Sequence, residues 1–337
     1  MGCPEVMVNS LKNKPAGKRS AAFGVKKAKR AEVNFCPTYP SAETEESLEA
    51  MQKSLLSEIK KKNNREIVKL KMEKTFALRR HEVVRDVPMV EDFMARWPAL
   101  FDVIEINAEF KRITTVPLQS KFMSQLDIYS ENLSRLFQKR GGQVGQRLKA
   151  VIVKMSDDVD ASRECIIKGV CIYMGEDPEN LLQEYVGMDE ESLNDAIEDT
   201  TVGIYIQKEA SSAEAEDIGI VLEGIKVLQD LDNVALAVAM LFGLMYALNL
   251  SYPPNLRYTF EVIQKIIMEL NGDKLSSKVM NVARIHDKQK LKSFWEQRIV
   301  QHGEQMEEEA QRMRSSALAR SANTQIRAAI DHVSHEE

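Results

Sequence analysis

Residues Asn233 to Asn255, NVALAVAMLFGLMYALNLSYPPN, form an uncharged run in a chain of which 29 % is charged. Such a run must leave water, either in the middle of a protein core or in a bilayer. Val234 to Leu248 is fifteen residues long, about a turn short of the roughly twenty that a spanning helix needs. Ser251, Pro253 and Pro254 then read as a helix stop followed by a new start. Neither a basic cluster nor an aromatic belt flanks the run. The expectation is a buried core helix, with membrane association through residues 234–250 as the alternative. Tyr258 to Leu270 carries Phe260, Ile263, Ile267 and Leu270 on one stripe, which predicts a second helix burying the first.

The full 337 residues are 44 % apolar but only 6 % aromatic, a balance that favours long helices with solvated charged faces. The predicted fold class is mainly α, a helical domain with a small β-hairpin flanked by long helical arms. Residues 1–40, rich in Pro, Gly and Lys without periodicity, predict a disordered basic arm. Residues 41–86 contain no Gly or Pro, and Leu48, Met51, Leu55 and Ile59 are spaced as a helical seam. They predict one long helix with coiled-coil character, although KKKNNR at 60–65 interrupts the seam before Ile67 and Leu70 resume it. Residues 87–275 predict a globular, mainly helical domain. Its stripes run over Val90–Arg96, over Phe122, Leu126, Tyr129, Leu133 and Phe137, over Val144–Met155, and over Asp157–Met174. Val202–Ile206, Ile218–Leu222 and Ile225–Leu228 predict a hairpin near 201–229. Residues 276–332 predict a second long amphipathic helix through Leu291, Trp295, Ile299, Met306 and Met313, with 333–337 as a tail.

The chemistry-bearing residues assemble no recognisable site. Cys3, Cys36, Cys165 and Cys171 form no CxxC pair, which predicts free thiols and an intracellular protein of the nucleus or cytoplasm. RGGQVG at 140–145 has glycines but neither a GK[ST] ending nor a preceding strand, so it reads as a helix terminus. Asp157, Asp158 and Asp160 suggest a calcium loop, yet Arg163 stands where that loop requires Gly. His332 and His335, beside two terminal glutamates, fall short of the four ligands of a structural zinc site. No cofactor, metal, small-molecule substrate or catalytic residue is therefore expected, and the protein is not expected to be an enzyme.

Charge is distributed with more purpose. Residues 1–36 hold eight Lys or Arg against Glu5 and Glu32, a net +6, whereas residues 155–200 hold fourteen Asp or Glu against Arg163 and Lys168, a net −12. Opposite patches on one chain invite self-association or a charged partner. The tract Lys26, Lys27, Lys29 and Arg30 is the candidate for nuclear import or nucleic-acid contact.

Several blocks also occur in a fixed order: AEVNFCPTYPS at 31–41, MEKTFALRRHEVV at 72–84, RWPALF at 96–101, EFKRITTVPLQSKF at 109–122, LFGLMYALNLSYP at 241–253 and FEVIQKIIMEL at 260–270. Together they resemble the multi-copy sterile alpha motif domain-containing protein 3-like family. The resemblance implies the C-terminal region of such proteins, without a sterile alpha motif domain, and brings no activity or catalytic residue. The stretch from Arg284 to Glu337 does not match the expected family ending and reads as a private extension. The functional expectation is a non-enzymatic interaction or scaffold module with protein partners or self-association. A nuclear nucleic-acid-associated factor using the basic arm is the alternative, and a membrane-associated protein the second alternative.

Overall fold

A computed structural model describes residues 34–210, 215–270 and 275–284. The chain divides into two compact units, Met1–Val282 and Ala283–Glu337, and the described residues fall almost entirely in the first. Of the second long helix predicted over 276–332, residues 277–279 form a turn and 280–284 are helical, while its remainder, the tail, His286, His302, His332, His335 and the tract Lys26, Lys27, Lys29 and Arg30 lie outside the described residues.

The uncharged run is the central element. It forms helix α10, Val234–Ala247, and each of its fourteen residues is buried. The Asn233 side chain accepts from the Leu236 amide at its start. A helix with no polar face must be surrounded. α10 accordingly packs on α5 (Val103–Thr114), α6 (Leu118–Gln138), α8 (Val159–Tyr173) and the sheet. Gly243 allows the closest of these contacts. A Cβ there would lie 2.5 Å from Leu118 Cδ2 and 2.7 Å from Ile106 Cγ2. Every residue from 234 to 250 is buried against protein. Among the described residues, no helix is long and apolar enough to cross a membrane.

The expected companion helix is shorter and differently placed. Arg257–Val262 forms α11 and continues as a π-helical turn, Ile263–Ile267. These pack chiefly on α8 and α6, and all but Lys265 of residues 259–267 are buried. Tyr252 links the companion to α10, stacking between Phe242 at 6.3 Å and Phe260 at 5.2 Å.

The periodic stripes of the middle region match helices: Val90–Arg96 is α4, the five residues from Phe122 to Phe137 are the buried face of α6, and Gly142–Ile152 is α7. α8 starts on the Asp158 cap and buries Cys165, Ile166 and Val170. The sheet is larger than the predicted hairpin. Its order is β1-β2-β3-β4, Leu182–Val186, Val202–Lys208, Ala215–Leu222 and Ile225–Leu228, with β1 parallel to β2 and the remaining pairs antiparallel. β1 and the crossover helix α9, Glu190–Ile197, come from the acidic stretch. Their apolar signal is thin: Leu193 and Ile197 of α9 bury against Tyr205 and Val221.

The predicted long helix over 41–86 is corrected. It is α1 (Glu45–Glu58), α2 (Arg65–Lys74), α3 (Phe76–His81) and a π-helical turn (Glu82–Asp86). KKKNNR is a true break, with Asn63 at φ 60, and α2 folds back on α1. Leu48 and Leu55 of the expected coiled-coil seam are buried within the chain. Ile67 and Leu70 remain 44 % and 57 % exposed. Helix α1 starts at Thr44 rather than Ser41, through a capping box with Ser47.

Candidate interaction cleft

Two arginines that follow one another on α3 are buried for different reasons. Arg79, 1 % exposed, donates to both oxygens of Glu109 on α5, at 3.0 Å from Nε and 2.8 Å from Nη2. It also donates to Thr75 Oγ1 and Met72 O. Burial alone would raise the Glu109 carboxyl, but Arg79 and Arg112 outweigh it and hold the group below the usual carboxylate range. Glu105, one turn away, is pushed upward by burial, with Arg112 only partly offsetting it. Arg80 donates to the carbonyls of Tyr246 and Ala247, at 3.2 and 3.1 Å, at the C-terminus of α10. A cation there meets the negative end of the helix dipole. Burial lowers the Arg80 pKa, with Glu109 opposing.

This buried scaffold supports a surface cleft of about 430 Å³. Residues 34–40, expected to belong to a disordered arm, instead form a strap along its edge. Asn34 Oδ1 accepts from Asn249 Nδ2, Phe35 lies under the Arg80 guanidinium, and Pro37 O accepts from His81 Nε2 at 2.8 Å. Tyr39 packs on the His81 ring at 4.9 Å. Because a carbonyl only accepts, His81 Nε2 carries the proton; Nδ1 is buried with no hydrogen-bond partner.

The cleft walls are Tyr39, Leu78, His81, Pro88 and Phe93, with Glu45, Glu49, Glu82, Asp86 and Asp92 set against Arg85 and Arg96. Arg96 is already engaged: it pairs with Glu82 at 2.7 Å and with Glu49 at 2.5 Å. Glu82 also accepts from Trp97 Nε1 at 2.7 Å. Glu45, Asp86 and Asp92 are exposed, and Arg85 is the other cation of the lining. At the lip, between Asp86 and Pro88, Val87 adopts φ 53, ψ 57 and is 52 % exposed. A β-branched residue in the left-handed region carries strain of about 1–3 kcal/mol. Its N–H closes the π-helical turn on Glu82 O. Helix α4 behind the lip is capped from the sheet, since the Val90 amide donates to Glu223 at 2.7 Å.

The other features singled out in the sequence have structural roles. Gly141 and Gly142 turn the chain from α6 into α7, Gly142 at φ +69. Asp158 caps α8, and Asp160 binds Arg163 and Asn233. Cys171 is buried and its thiol is pushed up to about 12, by desolvation above all, while Cys165 is raised for the same reason. Among the described residues, no group of three His, Cys, Asp or Glu side chains is placed to hold a metal ion. Sequence reasoning missed the cleft because its residues come from three segments and its acids read as first-turn dipole partners. The buried arginines inside RRH, flanked by apolar residues, were the available signal.

Fold and cleft define a mainly α domain with a minor sheet, carrying an acidic recess braced by buried ion pairs. Residues 48–102, which supply α2, α3, α4 and most of that recess, match the family model for sterile alpha motif domain-containing protein 3, helical domain. The chain is thus similar to the sterile alpha motif domain-containing protein 3-like family over this segment, where the blocks at 72–84 and 96–101 lie. Residues 287–324 match the family model FAM240, in the stretch read as a private extension. No curated protein and no solved structure matches the chain.

Proposed function

We propose that this protein is a non-enzymatic interaction module, acting in the nucleus or cytoplasm, whose acidic cleft receives a basic peptide segment. The carrying observation is the charge of the lining, five carboxylates against two arginines, one of which is already paired twice. A Lys- or Arg-bearing segment entering the recess would neutralise exposed carboxylates while its aliphatic stems pack on Tyr39, Pro88 and Phe93. Preorganisation supports the reading. The strap and α4 are each held by contacts from distant parts of the chain, so the recess need not be ordered on binding.

The test is titration of the full chain with a fluorescent Lys/Arg-rich octapeptide at low and high salt. Binding that weakens with salt and is lost in Asp86→Lys with Asp92→Lys is the expected result. Equal affinity in that double variant sinks the assignment.

A further inference from the structure

We propose that a second cavity, separate from the acidic cleft, binds a small organic ammonium, its apolar body on the cavity walls and its cationic nitrogen on the Glu105 carboxylate. The proposal does not depend on the cleft or on what enters it.

The cavity holds about 660 Å³ between the turn that joins α1 to α2 and the first turn of α5. That volume falls within the roughly 300–1,000 Å³ of sites that take small molecules. Ile59, Val68, Phe101 and Ile104 stand on its walls, and Ile59 and Ile104 are exposed. Apolar side chains left open to water around a recess gain from a ligand that covers them. Of the lining residues only Ala99 and Glu105 are buried, so these two form the floor. A carboxylate at the bottom of a recess with apolar walls is costly unless a cation pairs with it.

Glu105 has such a partner only in part. It is 7 % exposed, and its Oε2 is buried without a hydrogen bond. Among the described residues the one cation within ion-pair range is Arg112, whose Nη1 lies 3.6 Å from that oxygen, beyond hydrogen-bond length. Arg112 is committed elsewhere: it pairs with Glu109 and with Glu73, each at 2.8 Å. Arg79 is taken by Glu109. Two arginines thus face three carboxylates, Glu73, Glu105 and Glu109, and the one without a close partner is the one on the cavity floor. An incoming cation balances the group. Burial, the largest influence on it, holds the Glu105 carboxyl above its usual range, and an ammonium beside it relieves that penalty.

The rim leaves the floor to the ligand. Its cations, Lys61 and Arg65, are both exposed, and Lys61 pairs with Glu58 at 3.0 Å. Glu58 also accepts from Asn64 Nδ2, which ties the α1–α2 turn in place before anything binds. The amino end of α5 does not repel a cation, because Asp102 and Glu105 together outweigh the roughly half positive charge of a helix N-terminus.

The probes are 2-phenylethylammonium chloride and its neutral counterpart 2-phenylethanol, each titrated into the full chain by calorimetry. The ammonium is expected to bind one to one with a Kd of about 1 mM, ordinary for a ligand of this size. The alcohol is expected to bind about tenfold more weakly or worse, since it forgoes a charge-assisted hydrogen bond. Glu105→Gln is expected to weaken the ammonium by about the same factor and to leave the alcohol unchanged, a split that loss of folding would not produce. Ile104→Arg alters only the exposed wall, and it is expected to weaken the ammonium at least as much, with an unfolding midpoint close to that of the wild type. Equal affinity for ammonium and alcohol, or for ammonium in wild type and Glu105→Gln, overturns the proposal, as does an absence of ammonium binding to the wild type. Ammonium binding that is lost in Asp86→Lys with Asp92→Lys, yet kept in Glu105→Gln and Ile104→Arg, would place the cation in the acidic cleft and overturn this cavity as its site.

Discussion

The two sides of helix α5 face opposite solutions to the same problem. Towards α10 it presents Ile106 and Phe110, and Phe110 meets Phe242 at 5.7 Å and Tyr246 at 5.0 Å in a wholly apolar contact. Towards α3 it presents Glu109, sealed against Arg79 at 2.8 Å with both side chains almost without solvent. The apolar side gains from any well-packed hydrophobe, at about 25 cal/mol per Å² removed from water. On the ionic side, desolvation largely cancels the attraction, so its net stabilisation is small although the loss of either partner is severe. One side therefore tolerates substitution by volume, the other only by matched pairs.

The largest effect that would break this comparison is Glu109→Ala. It leaves Arg79 buried and uncompensated and is expected to cost about 3–5 kcal/mol in urea denaturation. Replacing both partners, Arg79→Met with Glu109→Leu, is expected to recover most of that loss; a double variant as unstable as the single one would show that the pair contributes net stability. Phe242→Ala on the apolar side is expected to cost a similar 3–5 kcal/mol, with no second substitution across the contact restoring it. Gly243→Ala is milder. Overpacking of Leu118 and Ile106 costs about 1–3 kcal/mol, reduced by about 1 kcal/mol from replacing a glycine inside a helix.

Acid sharpens the same contrast. The folded Glu109 carboxyl lies below its unfolded value, so its contribution is present above the ordinary carboxylate range, about pH 4.3, and is lost as pH falls through the folded value. Glu105, raised by burial, acts in the opposite sense. The wild type is expected to lose stability below about pH 4, and Glu109→Gln to flatten that limb in denaturation midpoints taken between pH 7 and 3. The smallest effect belongs to the surface: Thr44→Ala removes the α1 capping box at about 1 kcal/mol, independent of either core.

The stripes of α6 and α8 were legible because a repeat of 3.6 in apolar residues is a property of neighbours in sequence. The same logic misjudged residues 41–86, where the absence of Gly and Pro suggested continuity. Helix continuity also requires something for each turn to pack on, and KKKNNR offers nothing apolar. β1 was missed because Leu182 is the one buried residue of Leu182–Val186. Its place is fixed by pairing with β2, twenty-two residues away at Ile204. The cleft was illegible for a related reason: Tyr39, Glu45, His81 and Asp92 become neighbours only when the strap and three helices converge.

Helix ends show most plainly where the information lies. Asp102, Asp158, Asp189 and Asn233 each cap their own helix from the adjacent position, and a cap within three residues is written in the sequence. By contrast, Glu223 caps α4, Glu176 accepts from the Tyr258 and Thr259 amides of α11 at 2.8 Å, and Arg80 closes the carboxyl end of α10. The sequence by itself determined that residues 234–248 must be buried, since no arrangement of that run can satisfy water. The tertiary structure alone decided which charged side chains follow it into the interior, because a buried charge is tolerated only where folding delivers its partner.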